Sequence, residues 1–81
     1  MLLLKKRNEG VEIYDLSKAD RIVVTKNLIF LEMESGKSFV IVYNDGRELS
    51  NRQFEALIGA LIGKNGNAVL FLDDIIEVED R

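Results

Sequence analysis

The chain has 81 residues, a mass of 9.2 kDa and a net charge of −3, with 47% hydrophobic and 31% charged residues. That is the make-up of one small globular domain, with no room for a second. Cysteine, histidine, proline and tryptophan are absent, which excludes disulfides, cysteine-based zinc sites and every mechanism that needs a thiolate or an imidazole.

The charge is unevenly placed. Residues 1–64 carry nine acids and ten bases, whereas residues 65–81 carry five acids and one base. The balance disfavours non-specific adhesion to nucleic acid or anionic lipid. The longest apolar stretch, from Ala56 to Gly63, falls far short of the roughly 20 residues that span a bilayer. At the start, Lys5-Lys6-Arg7 follows Leu2-Leu3-Leu4 instead of preceding a long apolar segment, so no signal peptide is expected. The expected location is the cytoplasm, with no membrane partner.

In chain order, the first half reads as an antiparallel β-meander punctuated by turn residues. Residues 2–7 and 11–16 are expected strands joined across Asn8-Glu9-Gly10, and Ser17-Lys18-Ala19-Asp20 is a polar turn. Residues 21–25 and 28–34 flank Lys26-Asn27, where Asn27 suits the left-handed backbone of a tight hairpin. Ser35-Gly36 turns the chain into a strand over residues 38–44. Asp45-Gly46 is a type I′ signal, expected to return the chain through a short strand, Arg47-Glu48-Leu49. In the middle strands Ile29, Leu31 and Met33 oppose Leu28 and Phe30, and Phe39, Ile41 and Tyr43 oppose Val40 and Val42. With apolar residues on both faces, these strands are expected to be covered on both sides.

One helix follows. Ser50 as N-cap and Gln53 three residues on form a capping box, and Leu49 with Phe54 forms a hydrophobic staple. Phe54, Leu57, Ile58, Leu61 and Ile62 follow the spacing of one buried stripe. Lys64 suits the helix C-terminus and Gly66 a left-handed cap. Residues 68–72 and 75–79 then read as one kinked strand or two short ones, interrupted at Asp73-Asp74. The fold class is therefore α+β: an antiparallel meander with one amphipathic helix packed on it and C-terminal strand pairing.

The helix's second side carries Ala56, Gly59, Ala60 and Gly63, with no charge between Glu55 and Lys64. Each glycine in an exposed helix interior costs about 1 kcal/mol relative to alanine. Close approach of another backbone would offset that cost, so these four residues are the expected self-association surface of a homodimer. The reading weighed against it has a strand or the N-terminal segment of the same chain passing over the glycines.

Chemistry is sparse. Asp73, Asp74, Glu77, Glu79 and Asp80 offer oxygen ligands, but their spacing does not match a Ca²⁺ loop. As a strand, Asp73, Glu77 and Glu79 would share one face and Asp74 and Asp80 the other, an acidic end that discourages edge pairing. No metal and no cofactor is expected. The serines have no histidine to activate them, and the isolated glycines form no phosphate cradle. The chain is expected not to be an enzyme.

The expected function is a non-enzymatic protein-binding module, a homodimeric regulator or inhibitor of a larger partner, of the kind that phages and mobile elements often carry. Asp73, Asp74, Glu77, Glu79 and Asp80 are its expected partner-binding surface, because an acidic patch competes with phosphates for a basic groove. The alternative is a nucleic-acid-binding domain in which Phe30, Phe39, Tyr14 and Tyr43 stack bases and Lys26, Lys37 and Arg47 contact phosphates. The order strand, turn, strand, helix, strand over residues 38–79 resembles that of LytTR-type DNA-binding domains. Asp73 and Asp74 stand where such domains carry basic residues near their final strands, and the chain is not assigned to that family.

Overall fold

The computed structural model describes residues 1–63 and 68–76. In chain order its elements are β1 (Leu2–Arg7), β2 (Gly10–Asp15), β3 (Ala19–Val24), β4 (Leu28–Met33), β5 (Ser38–Val42), α1 (Asn51–Gly63), β6 (Val69–Phe71) and α2 (Leu72–Ile76). The α+β class holds. The strands, however, form two three-stranded sheets, ordered β2-β1-β6 and β3-β4-β5.

The split lies where a polar turn was expected. Leu16–Lys18 forms a single 3-10 turn whose N-cap, Asp15, accepts the Ser17 amide, and Ala19 and Asp20 already belong to β3. Ala19 already pairs with Met33 in the second sheet, and beyond a register shift between Ala19 and Arg21, Ile22 pairs with Leu31 and Ile29 with Ile41. In the first sheet β1 is the central strand. It runs antiparallel to β2, with Leu3 opposite Tyr14, and parallel to β6, with Leu3 beside Leu70.

Two turns differ from expectation. Among the described non-glycine residues only Asn44 and Asp45 have positive φ, so Asn27 is not left-handed. The Thr25 hydroxyl holds that bend instead, receiving the Leu28 amide. At Asn44-Asp45-Gly46 the left-handed backbone is present, with φ of 55°, 53° and 79°. Because it includes Asn44 as well, the chain does not return as a paired strand. Arg47-Glu48 is irregular, and the Leu49 amide reaches the Lys26 carbonyl at 2.7 Å.

The capping box forms as the sequence requires: the Gln53 amide donates to Ser50 Oγ at 3.1 Å, and the Ser50 amide to Gln53 Oε1 at 2.9 Å. The Gln53 side-chain amide also donates to the Ile76 carbonyl, tying α1 to the end of α2. Leu57 is fully buried, whereas Ile62, placed in the same stripe by its spacing, is exposed.

The C-terminal segment is also different. Only Val69–Phe71 is strand, and Leu72–Ile76 is a helix, with Asp73 and Asp74 in its first turn. The two-faced strand arrangement expected for Asp73 and Asp74 is therefore absent. Glu77, Glu79 and Asp80 lie outside the described residues, as do Lys64 and Gly66.

One core joins both sheets and both helices: Leu3 and Leu70, Ile29, Leu31 and Ile41, Leu57, and Leu72 and Ile76, closed by Leu16, Tyr43 and Leu49. At ~25 cal/mol per Å² of apolar area, such burial is the main force holding a domain of this size together. Tyr43 is buried because its hydroxyl has acceptors, the carbonyls of Thr25 and Leu28. Burial pushes its phenol up to about 12.

Candidate interaction surface

Each sheet gives one face to the shared core and leaves the other open. Double coverage of the middle strands therefore fails: Ile29, Leu31 and Ile41 are buried, but Val40 and Val42 on the opposite face are exposed. An 81-residue chain has one core's worth of cover, which reaches only one face of each sheet.

The open face of the first sheet is the more apolar than its sequence foretells. In β2, Glu12 and Tyr14 alternate with Val11 and Ile13, and a half-buried strand normally turns its aliphatic side inward. Here the reverse holds. Tyr14 faces the interior and meets Phe39 edge-on, with ring centroids 5.7 Å apart. Glu12 lies on that same side, receives the Tyr14 hydroxyl and pairs with Arg7; these contacts, Tyr14's first, hold its carboxyl below the usual range. Val11 and Ile13 point outward, 51% and 62% exposed. In the register of the sheet, Leu2, Leu4, Val69 and Phe71 share their face.

The second sheet's open face carries Val23, Val40 and Val42, with half-buried Leu28 and Phe30 between them. Beside them Arg21 pairs with Glu32 at 2.6 Å.

The residues expected for self-association fall beside the first of these faces. Ala56 and Ala60 line a groove of about 450 Å³ with Val69, Phe71, Asp74 and Ile75. Gly59 and Gly63 are exposed, and a Cβ on either would meet nothing within 4 Å. No strand or N-terminal segment among the described residues passes over them, so internal cover of the glycines is ruled out there.

Of the five acidic residues, Asp73 and Asp74 lie within the described residues, and they differ. Asp73 points into the structure: Lys5 Nζ approaches it at 2.7 Å and the Lys6 amide at 2.9 Å. Burial alone would raise the Asp73 carboxyl, but the Lys5 and Lys6 contacts outweigh it and hold the group below the usual aspartate range. Asp74 is exposed.

Nor do the basic residues converge. Lys26 and Arg47 lie at one end of the second sheet, with Lys26 bonded to Asn51 at 2.6 Å, whereas Lys37 lies in the β4–β5 turn at the other end. The aromatic platform dissolves too. Tyr43 is buried, Tyr14 and Phe39 face each other, and Phe30 lies on the opposite face of its sheet from Phe39.

Among the described residues no helix is long and apolar enough to cross a membrane, and no three acidic side chains are placed to hold a cation. No family model, curated protein or solved structure matches the chain.

Proposed function

We propose that the chain is a non-enzymatic protein-binding module that works in the cytoplasm as a homodimer and regulates or inhibits a larger partner by occupying its surface. One observation carries the reading. β2 turns Val11 and Ile13 to solvent, 51% and 62% exposed, while Tyr14 on its other side packs on Phe39, an orientation whose aliphatic side gains from burial only when another surface covers it. Apolar faces of this kind on a small domain mark protein contacts. Within the acidic end Asp73 is already paired with Lys5, which leaves exposed Asp74 and the apolar sheet faces as the described surface open to a partner.

The test is absolute molar mass by light scattering over a hundredfold concentration range. A mass approaching twice 9.2 kDa is expected at the upper end. A constant mass of 9.2 kDa throughout would refute self-association.

A further inference from the structure

We propose that the homodimer forms at the outer edge of β5, to which a second copy adds its own β5 as an antiparallel strand centred on Val40. The inference rests on the homodimer reading above and adds the contact, its register and the main-chain chemistry that makes it.

The groups that recognise the partner belong to the main chain. β5 ends its sheet, and no strand among the described residues pairs with its outer side. Four of its five residues are exposed. Toward β4, the Met33 amide donates to the Lys37 carbonyl at 2.8 Å, and the Tyr43 amide donates to the Asn27 carbonyl at 3.5 Å. Hydrogen-bonded and non-bonded pairs alternate along an antiparallel ladder, so Phe39 and Ile41 also turn their amides and carbonyls to β4. Those of Ser38, Val40 and Val42 point away from it, a row of donors and acceptors that fits another strand.

Of the four outer strands, β5 alone is undefended. Edges are normally blunted by charge, by irregular pairing or by being very short. β2 carries Glu12 and Asp15, β3 carries Asp20 and Arg21 beside its register shift, and β6 is three residues long. Ser38-Phe39-Val40-Ile41-Val42 has no charge, glycine, proline or register shift.

The spacing of the outward groups selects a second copy and its register. Ser38, Val40 and Val42 are symmetric about Val40, so an identical antiparallel strand meets all three. Val40 then faces the partner's Val40, and Ser38 faces the partner's Val42, with about two hydrogen bonds for each facing pair. Sliding the pairing by two residues either way sets Val42 against the partner's Gly36 or Ser38 against the partner's Asn44. Their positive φ, 88° and 55°, takes both out of the ladder. In the centred register Phe39 faces the partner's Ile41, a favourable aromatic and β-branched match, and no like charges oppose each other within the strand. The pairing also closes. The joined sheet has β3 at both ends, and the charges and register shift of β3 stop growth at two copies. A strand from another protein gains neither the matched register nor the closure.

Sedimentation equilibrium up to millimolar chain tests the pairing, since so short a ladder is a small interface. Val40→Pro removes an outward amide and no bond to β4, so the fold should survive. The dimer dissociation constant should rise about 10- to 100-fold as the central bonds are lost. Val40→Lys keeps the amide but sets like charges opposite each other; it should weaken association about tenfold, and it provides the test should Val40→Pro lose its circular dichroism. Val40→Thr keeps the amide and the branched shape, and Ile13→Glu lies on the other sheet; both should leave the constant within about threefold. Amide exchange followed by NMR should show protection of Val40 rising with chain concentration.

Dimerisation within about threefold of wild type in folded Val40→Pro and Val40→Lys would overturn edge pairing and leave the homodimer reading standing. So would a Val40 amide whose exchange is independent of concentration in a chain that dimerises. A wild-type chain that stays monomeric would overturn both readings and leave the edge to a strand from another protein.

Discussion

Asp73 provides the sharpest test of how the C-terminal segment is built. As part of a solvated acidic strand it would be dispensable. At the start of α2 it accepts from Lys5 Nζ at 2.7 Å and from the Lys6 amide at 2.9 Å, with the two side chains only 12% and 18% exposed. A hydrogen bond to a charged group contributes about 1.5–3 kcal/mol, and the residual exposure argues for the lower half of that range. Asp73→Ala also leaves the Lys5 ammonium with the Lys6 carbonyl as its remaining acceptor. The expected loss is about 2–3 kcal/mol, or about 10–20 °C in Tm for a domain of this length. Urea unfolding followed by circular dichroism measures it, and Lys5→Met completes a double-mutant cycle with a coupling of about 1 kcal/mol. The pH dependence has a definite sign. Because the folded Asp73 carboxyl is depressed below its ordinary value of 3.8, its contribution is whole above that value and is lost as pH falls through the folded one. The gap between wild type and Asp73→Ala should therefore narrow in acid. A difference within about 0.5 kcal/mol at pH 7, as at an ordinary surface position, would refute the reasoning.

Four further outcomes are expected. Ser50→Ala should cost about 1 kcal/mol in urea unfolding, because the Gln53 amide loses its cap. Gly59→Ala should stabilise the monomer by about 0.5–1 kcal/mol, since the new methyl meets open space, whereas Gly46→Ala, at φ 79°, should destabilise it by about 1 kcal/mol or more. Ultraviolet titration should show the Tyr43 phenol ionising only near 12; the stability tied to it is whole below the ordinary tyrosine value and is lost as pH rises through the folded one.

Local signals were legible where chemistry acts over a few residues. Ser50 and Gln53 announce their own helix because each satisfies the other's backbone amide. Gly36, at φ 88°, turns the chain between β4 and β5 as its sequence position implies. The misses are non-local or concern spacing read with the wrong period. Leu72, Ile75 and Ile76 sit at i, i+3 and i+4, a helical spacing, and the aspartate pair between Leu72 and Ile75 suits the first turn of a helix; read with a period of two, they looked like a broken strand. The pairing of β1 with β6 joins Leu3 to Leu70, a separation at which turn chemistry carries no information. For the interaction surface, Ala56 and Ala60 were found beside the exposed β6 residues, but Val11 and Ile13 were not. Alternation in β2 is plain in the sequence, yet which side faces inward is set by a contact with another strand, Tyr14 against Phe39, 25 residues away.

The two open faces differ in what surrounds their apolar residues. On the second sheet Val23, Val40 and Val42 stand around half-buried Leu28 and Phe30, with Arg21 paired to Glu32 beside them. On the first sheet Val11, Ile13, Val69 and Phe71 stand between Asp15, on which Lys18 and the N-terminus act, and Lys6, with Asp74 beside Phe71. Apolar area supplies affinity without direction, so the two faces are separated by substitution and not by their charges. Ile13→Glu and Val40→Glu each place a charge on one face alone, and a loss of binding with one variant and not the other, both folded by circular dichroism, assigns the face that makes contact; equal effects would mean that neither face is the contact.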